Sequence, residues 1–511
     1  MNWLNANAPA LMVVGPLLAG LATAVLGRGR RGWWIMALTS AALFGLALLL
    51  ARQVLASPTG AVVYTMGPWA EPVRVPGVDR AIKTGIEYRV DGLNALLLLV
   101  ITGIALVTAP FARLSVAKEI AADRLHLFYA VYLLCITGLV GMTITGDAFN
   151  VYVLLEISSL TSYALVAMGK GRDRRALTAS YRYLVLGTVG ASFILIAIGY
   201  LFMVTGTLNM GEMAAELARI GPNRTTQTAF ALLVVGLGMK MALFPLHAWL
   251  PNAYTYAPSA VTALLASTAT KVGVYAALRF FLTIFGVGVF HKSFASEAML
   301  FLGCAGILHG SLMAIQQQEL KRLLAWSSVA QIGYMVVGFC LAREGHPRGL
   351  EGTLMHIANH ALVKGALFVA VGAVIYRTGS ARVADLTGLM RRMPLTATAI
   401  VVAGMGLIGM PLTGGFISKW LLVGAALEGG RWGVAFSILL GSALAIVYVM
   451  RMVEPMVFGD PDEGPQVGAA PPGLILPAWV LCAGSVFLGV SGAGIRPLVE
   501  RAAVALVGGT P

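Results

Sequence analysis

The sequence has 511 residues, of which 58% are hydrophobic and only 11% are charged, and its mean hydropathy is +0.83. A soluble domain carries about 25% charged residues, so this composition excludes an ordinary soluble protein and indicates a chain that lies mainly in a lipid bilayer. The net charge of +14 is dispersed among short loops, which argues against a nucleic-acid partner and agrees with the positive-inside rule.

Apolar runs that reach the roughly 20 residues needed to cross a bilayer follow one another along the chain. We therefore predict an all-α, polytopic membrane protein with about fourteen transmembrane helices. In chain order, the predicted helices cover residues 7–26, 33–55, 91–113, 125–146, 148–168, 178–205, 227–250, 257–285, 297–316, 318–342, 351–377, 394–427, 432–457 and 473–491. The basic residues that follow helix 1 reverse the charge order of a signal peptide, so we expect helix 1 to be retained.

The predicted helices divide the chain into four parts. Residues 1–124 hold helices 1–3, residues 125–285 hold helices 4–8, residues 297–457 hold helices 9–13, and residues 458–511 hold a flexible loop, helix 14 and a tail. Helices 7 and 12 both contain a proline break, and paired broken helices are typical of inverted repeats in transporters. We therefore interpret helices 4–8 and 9–13 as two inverted five-helix repeats.

Two further expectations concern the loops. In the loop at 56–89, alternating residues around Val62 and again at Val73 and Val75 predict a small hairpin on the outer side. Loops after odd-numbered helices carry more Lys and Arg than the others, which places both termini on the outer side of a bacterial or archaeal cytoplasmic membrane.

Ionisable side chains in mid-bilayer cost roughly 2.5–3.5 kcal/mol each, so each of them needs a reason. Helix 5 carries Glu156, and helix 7 carries Lys240, followed by Pro245 and His247. Because proline cannot continue a helix, we expect helix 7 to break just after Lys240. A Glu156–Lys240 pair would hold a proton when closed and release it when open. A purely structural ion pair is the alternative.

Helices 8 and 11 carry further buried cations. Lys271 lies near the centre of helix 8 among Ser267, Thr268 and Thr270, whose hydroxyls are expected to hydrate it. The alternative for Lys271 is a structural lysine that is paired with a backbone carbonyl. Helix 11 places His356, His360 and Lys364 at successive i+4 positions, hence on one stripe of the helix. Two histidines so spaced can bind a metal, but there is no HExxH motif, and we expect no metal.

Helix 12 repeats the device of helix 7, a break at Pro411, Gly414 and Gly415 beside one buried lysine, Lys419. Two other residues receive no functional role. His309 is interpreted as a packing histidine. Arg279 lies toward the end of helix 8, from which its long side chain can reach the interface.

The sequence has no Walker A motif and no dinucleotide-binding glycine pattern, and its four cysteines occur singly without CxxC spacing. We therefore expect no cofactor in this chain, and any redox centre that works with it must belong to another chain.

Five segments of the chain resemble the antiporter-like subunits shared by Mrp-type multisubunit cation/proton antiporters, respiratory complex I and membrane-bound hydrogenases. They are LLEISSLTSYAL, GMKMALFPLHAWLPNAYTYAPSAVTALLASTATKVGVYA, ELKRLLAWSSVAQIGYM, HIANHALVKGAL and GMPLTGGFISKW. The resemblance implies a fourteen-helix fold with two inverted repeats, each forming half of a proton path. By motif, the implied proton path contains Glu156, Lys240, Lys271, His356, His360, Lys364 and Lys419. We add His247, which follows the break in helix 7, as a further candidate for this path.

Within the family, the lysine of helix 12 and the compact length most resemble the D subunit of Mrp-type antiporters. The resemblance predicts a proton-translocating subunit of a multisubunit Na⁺/H⁺ antiporter, with H⁺ and Na⁺ as the ions and other membrane subunits, one of them homologous, as partners. The first alternative is a proton-pumping subunit of a redox-driven complex, an NADH-quinone oxidoreductase or a membrane-bound hydrogenase, in which case the chain is part of an enzyme. The second is a membrane subunit of an inorganic-carbon uptake system.

Overall fold

The described part of the chain is nearly all helical in this computed structural model. The structure describes residues 3–66, 73–74, 81–82, 85–169, 174–460, 462, 467–492 and 494–508, without the side chains at 73, 74, 81 and 82. Over these residues, twelve helices are long and apolar enough to cross a membrane. Two broken helices complete the predicted set of about fourteen, so the predicted fold class is confirmed.

The helices are, in chain order, α1 (Trp3–Leu26), α2 (Arg31–Ala56), α3 (Gly92–Glu119), α4 (Leu125–Ile144), α5 (Ala148–Ala167), α6 (Arg175–Thr205), α7 (Met210–Ile220), α8 (Arg224–Met241), α9 (Leu250–Tyr256), α10 (Ser259–Ser267), α11 (Ala269–Leu278), α12 (Val287–Lys292), α13 (Phe294–Ile315), α14 (Leu320–Cys340), α15 (Arg348–Thr378), α16 (Leu389–Arg392), α17 (Pro394–Ile408), α18 (Gly414–Glu428), α19 (Trp432–Phe458), α20 (Pro472–Val490) and α21 (Arg496–Leu506). A π-helical segment, Arg279–Ile284, continues α11, and 3₁₀ turns lie at Ala122–Arg124 and Val383–Leu386.

Four short strands lie between α2 and α3. β1 (Ala61–Thr65) pairs antiparallel with β4 (Glu87–Asp91), and β2 (Val73–Arg74) pairs antiparallel with β3 (Ala81–Ile82). The predicted hairpin therefore exists, but the partner of the strand around Val62 is β4 rather than the segment at Val73. Val75 lies outside the described residues. β4 runs directly into α3, whose first turn is capped by the Asp91 carboxylate.

The break in the seventh spanning segment occurs where the sequence predicts it. α8 ends at Met241, Ala242 has a left-handed φ of 59°, and α9 begins at Leu250. Leu243 N–H bonds the Gly238 carbonyl at 2.8 Å, the long-range bond of a Schellman cap. This bond satisfies a carbonyl that the end of α8 would otherwise leave unpaired inside the membrane.

The twelfth spanning segment is broken in a similar way. α17 ends at Ile408, Gly409 and Leu412 have φ values of 89° and 70°, and α18 begins at Gly414. The broken segments α8–α9 and α17–α18 thus lie five spanning segments apart, as the prediction of paired breaks requires.

The eighth spanning segment differs from its prediction as one continuous helix. α10 ends at Ser267, Thr268 departs from helical geometry with φ −125° and ψ −54°, and α11 begins at Ala269. This second kind of break contains neither proline nor glycine, so the local sequence carries no signal for it. A break at this point changes the direction of the helix three residues before Lys271.

Burial separates a central group of helices from a peripheral one. The spans at 259–284, 320–340 and 348–378 are almost entirely surrounded by protein, whereas only 33% of the most apolar stretch of α1, α2 and α19 is buried. The central spans include α11, α14 and α15, which carry most of the buried cations. The polar residues of the sequence are therefore placed away from lipid.

Candidate functional site

The Glu156 carboxylate and the Lys240 amine face each other across α5 and α8. Their Oε1 and Nζ atoms are 3.8 Å apart, and the two side chains are 22% and 11% exposed. Lys240 Nζ also donates a 2.6 Å hydrogen bond to Ser159 Oγ, whose own proton goes to the Leu155 carbonyl. The structure thus contains the hypothesised Glu156–Lys240 ion pair, and the role of this pair in proton transfer stays a prediction.

A small cavity adjoins Lys240 and extends toward α11. Its volume is about 30 Å³, and its wall includes Ser158, Ser162 and Tyr183 on one side and Gly273 on the other. One water molecule needs a cavity of about 10–15 Å³ and several polar partners, so this cavity is large enough and polar enough to hold water. Gly273 permits the close approach, because a Cβ there would lie 3.0 Å from the Met241 backbone.

Lys271 is fully buried, and its amine points back to the break between α10 and α11. Its Nζ donates to the Ala266 carbonyl and lies 3.5 Å from Thr270 Oγ1. Thr268 instead donates its hydroxyl proton to the Leu264 carbonyl. The expectation that three hydroxyls surround this lysine is therefore wrong in part: a backbone carbonyl at the break is the main acceptor.

His247 lies in the loop that joins the halves of the broken helix α8–α9. Its ring packs against Phe244, His309 and Trp326, with centroid distances of 5.5, 5.6 and 5.2 Å. His309, on α13, thus packs against the broken segment, and its interpretation as a packing histidine stays a prediction.

On α15, the three polar residues predicted to share a stripe are buried together. Lys364 Nζ donates to the Leu324 carbonyl at 2.7 Å and to Ser327 Oγ at 2.6 Å, both on α14. The rings of His356 and His360 are stacked with centroids 6.0 Å apart. The stripe therefore runs along the interface between α14 and α15.

Lys419 lies on α18 at the far end of this stripe, and its amine reaches back to the break between α17 and α18. Its amine donates to the carbonyls of Leu407 and Ile408 at 3.2 and 2.8 Å and lies 4.6 Å from the centre of the Tyr334 ring. The C-terminal carbonyls of a helix carry partial negative charge, so α17 stabilises the lysine without a carboxylate. The neighbouring Ser418 hydroxyl lies 2.9 Å from His356 Nδ1, which connects this end to the stripe.

We call Glu156, Lys240, Lys271, Lys364, His360, His356 and Lys419 the polar series. It passes from the broken helix α8–α9, through the centre of the molecule, to the broken helix α17–α18. Among the described residues, His, Cys, Asp and Glu do not form any group of three or more placed to hold a metal ion.

Gly415 allows the two halves of the broken helix α17–α18 to meet. A Cβ at this position would lie 2.1 Å from the Gly406 carbonyl oxygen, which is part of the backbone and cannot rotate away. We therefore expect Gly415→Val to prevent correct folding, so that an immunoblot of membranes shows little of the chain. Gly45→Val is the matched control, because a Cβ at Gly45 has nothing within 4 Å. Wild-type amounts of both variants would contradict the role of this close approach.

Arg279 does not extend to the interface as expected from its sequence position. Arg279 is only 8% exposed. Its Nη2 atom lies 2.6 Å from Asp91 Oδ1 and also donates a hydrogen bond to Asn94 Oδ1. Burial acts to raise the pKa of the Asp91 carboxyl, but the charge and hydrogen bonds of Arg279 outweigh it, so this pKa lies below its usual value. The ion pair ties the π-helical end of α11 to the junction of β4 and α3.

Lys321 is a buried cation that the sequence pattern did not single out. It is 6% exposed, and its amine donates to the Ala257 carbonyl at 2.6 Å, while Glu119 accepts from the Ser259 N–H at 2.7 Å. The two charged groups thus bind the end of α9 and the start of α10. The signal that could have found it is the position of Lys321 directly before the apolar run of α14.

The fold and the polar series define a polytopic membrane protein in which two broken helices flank a buried row of titratable side chains. Residues 145–445 match the family model described as NADH:quinone oxidoreductase/Mrp antiporter, TM. The chain belongs to this family.

Individual relatives include members of two kinds of complex. The chain is 39% identical to the N subunit of NADH-quinone oxidoreductase from Desulforudis audaxviator over 95% of this chain and 96% of the relative. It is 28% identical to the D subunit of the Na⁺/H⁺ antiporter from Bacillus subtilis over 88% and 87%. A chain of the Mrp complex from Dietzia sp. superimposes with a TM-score of 0.87 at 27% identity, covering 99% of this chain and 98% of that chain.

Proposed function

We propose that this chain translocates protons along the polar series as one subunit of a multisubunit Na⁺/H⁺ antiporter in the cytoplasmic membrane, with both termini on the outer side. The observation that carries the proposal is the Glu156–Lys240 pair, 3.8 Å apart beside a broken helix and a cavity of water size. It is the point in the polar series at which a proton can be held and released.

The mechanism follows from the neighbours of Lys240. Glu156 stabilises the charged amine by Coulomb attraction. Movement of α5 relative to α8 removes this attraction, and the proton then leaves through the cavity toward α11. Lys271, Lys364 and the two histidines carry it onward, and Lys419 ends the series at the second broken helix.

The antiporter assignment is supported by the likeness to the antiporter D subunit of Bacillus subtilis and to a chain of the Mrp complex. In such an assembly the partners are other membrane subunits, and Na⁺ is the exchanged cation. Sodium coupling then requires the complete set of subunits.

A second candidate function is proton pumping in a redox-driven complex. The observation in its favour is the higher identity, 39%, to a relative named for NADH-quinone oxidoreductase. The same polar series serves both functions, because each needs a proton path and differs in what drives it. In the second case the energy source is an electron-transfer subunit of the complex.

We expect sodium to release a respiration-generated proton gradient in inverted membrane vesicles that contain the complete complex. A pH-sensitive dye quenched by respiration should recover its fluorescence when sodium is added, since Na⁺ and H⁺ exchange. Potassium at the same ionic strength is the control. Proton pumping that does not change when sodium is added, and that requires an added electron donor and acceptor, would instead support the redox-driven complex.

A further inference from the structure

Direct hydrogen bonds leave two gaps in the central part of the polar series. Lys271 is held by Ala266, Lys364 by α14, and His356 lies beside Ser418. Among the residues that the structure describes, no hydrogen bond joins Lys271 to Lys364 or Lys364 to His356. A proton cannot cross these gaps unless another group bridges them.

The first gap is flanked by Ser267, at the end of α10. This residue is fully buried, and its hydroxyl has no hydrogen-bond partner within the described part of the chain. A Cβ built on Gly365 would lie 3.1 Å from Ser267 Oγ, so the hydroxyl lies against the residue next to Lys364. It is also one residue from the carbonyl that holds Lys271.

The second gap follows from the register of α14 against α15. Near one end of their interface Ser327 accepts a hydrogen bond from Lys364, and near the other end the ring of Tyr334 lies 5.5 Å from that of His356. The two helices therefore run antiparallel. Between the Ser327–Lys364 contact and the Tyr334–His356 contact, each helix has room for one more side chain that faces the other helix.

The residues at that level are His360 on α15 and Gln331 on α14. They are 1% and 2% exposed. Over the described residues, both ring nitrogens of His360 lack a hydrogen-bond partner. The Gln331 amide lies beside the Tyr448 hydroxyl of α19, but in the part of the chain that the structure describes neither Gln331 Nε2 nor the Tyr448 hydroxyl has a partner with direct hydrogen-bond geometry. Polar atoms at this depth are nearly always paired, either with protein or with ordered water.

We propose that Ser267 and Gln331 are positioning residues for internal waters that carry the proton from Lys271 past Lys364 to His356. An unpaired amide or imidazole in an apolar interior is costly, and a water with two to four polar partners removes the cost. Ser267 serves the first gap, and Gln331 with His360 serves the second. The inference rests on the proposed function, because it assigns these waters to the same proton path.

The test measures proton flux through the whole purified complex in proteoliposomes. Gln331→Leu keeps the volume but removes the amide, and we expect flux to fall about fivefold, the effect of one lost hydrogen bond at the barrier. Gln331→Asn keeps an amide on a side chain that is one methylene shorter. We expect this variant to retain most of the flux, because a water can occupy the space that the methylene leaves. Ser328→Ala is the matched control, since this buried hydroxyl of α14 already donates to the Leu324 carbonyl.

Infrared difference spectra in H₂¹⁸O separate a water-holding role from a packing role. We expect bands of internal water that shift with ¹⁸O in the wild type and in Gln331→Asn, and that are lost in Gln331→Leu. Unchanged flux and unchanged water bands in Gln331→Leu would overturn the inference, as would equal losses in both variants.

A Lys240→Met complex separates this inference from the proposed function. Flux that persists in Lys240→Met contradicts the proposed function itself. Flux that is lost there but is normal in Gln331→Leu contradicts only the water-positioning role.

Discussion

Lys240→Met should reduce proton flux through the reconstituted complex to the background leak. Methionine keeps the length of the side chain but has no titratable group, so the proton has nowhere to reside between Glu156 and the cavity. Flux is measured in proteoliposomes with a pH-sensitive dye inside. Lys292→Met, which removes an exposed lysine at the end of α12, is the matched control and should leave flux unchanged.

Glu156→Gln completes this test. The amide keeps the shape and can still accept a hydrogen bond, but it no longer attracts the Lys240 ammonium through its charge. We expect a large loss of flux with a normal amount of protein in the membrane. If both variants pump at close to wild-type rates, the pair is structural and the polar series is not the proton path.

Arg279→Met should be the most destabilising of the changes that remove a charge outside the polar series. It leaves the Asp91 carboxylate, whose side chain is only 21% exposed, without its cation. Removing one partner of a buried pair costs about 3–5 kcal/mol because the remaining charge stays desolvated, and the lower end applies here since Asp91 is partly exposed. The melting temperature of the purified protein, followed by tryptophan fluorescence, should fall clearly.

Two further variants show whether the cause is the unpaired charge. Asp91→Asn combined with Arg279→Met removes both charges and should recover part of the lost stability. Arg496→Met removes one partner of the exposed Arg496–Glu500 pair, whose side chains are 72% and 48% exposed, and should leave melting unchanged. Equal effects of the Arg279 and Arg496 changes would mean that burial of the Asp91 pair contributes nothing.

The polar series was predicted from local signals of different strength. His356, His360 and Lys364 could be placed together because i+4 spacing fixes them on one helix face. The breaks beside Lys240 and Lys419 were predictable because Pro245 and Pro411 cannot continue a helix. That Glu156 lies across from Lys240 was a hypothesis, since 84 residues separate them and the sequence contains no distance between helices.

Other features carried no local signal. The break at Thr268 has no proline or glycine, and it is decided by the packing of α10 and α11 in the centre of the molecule. Arg279 has the spacing of a residue that extends to the interface, yet its partner Asp91 lies 188 positions earlier. The acceptors of Lys271 and Lys419 are backbone carbonyls, which every sequence has, so only the break geometry selects them.

The sequence by itself determined the number and limits of most spanning helices, the two proline breaks and the membrane setting. These follow from apolar run length, backbone chemistry and the cost of charge in lipid, all of which act locally along the chain. The tertiary structure alone decided which helix faces which, and hence how the ionisable groups join into one series. Contacts between helices depend on packing across hundreds of residues, and residue spacing within a single helix does not encode them.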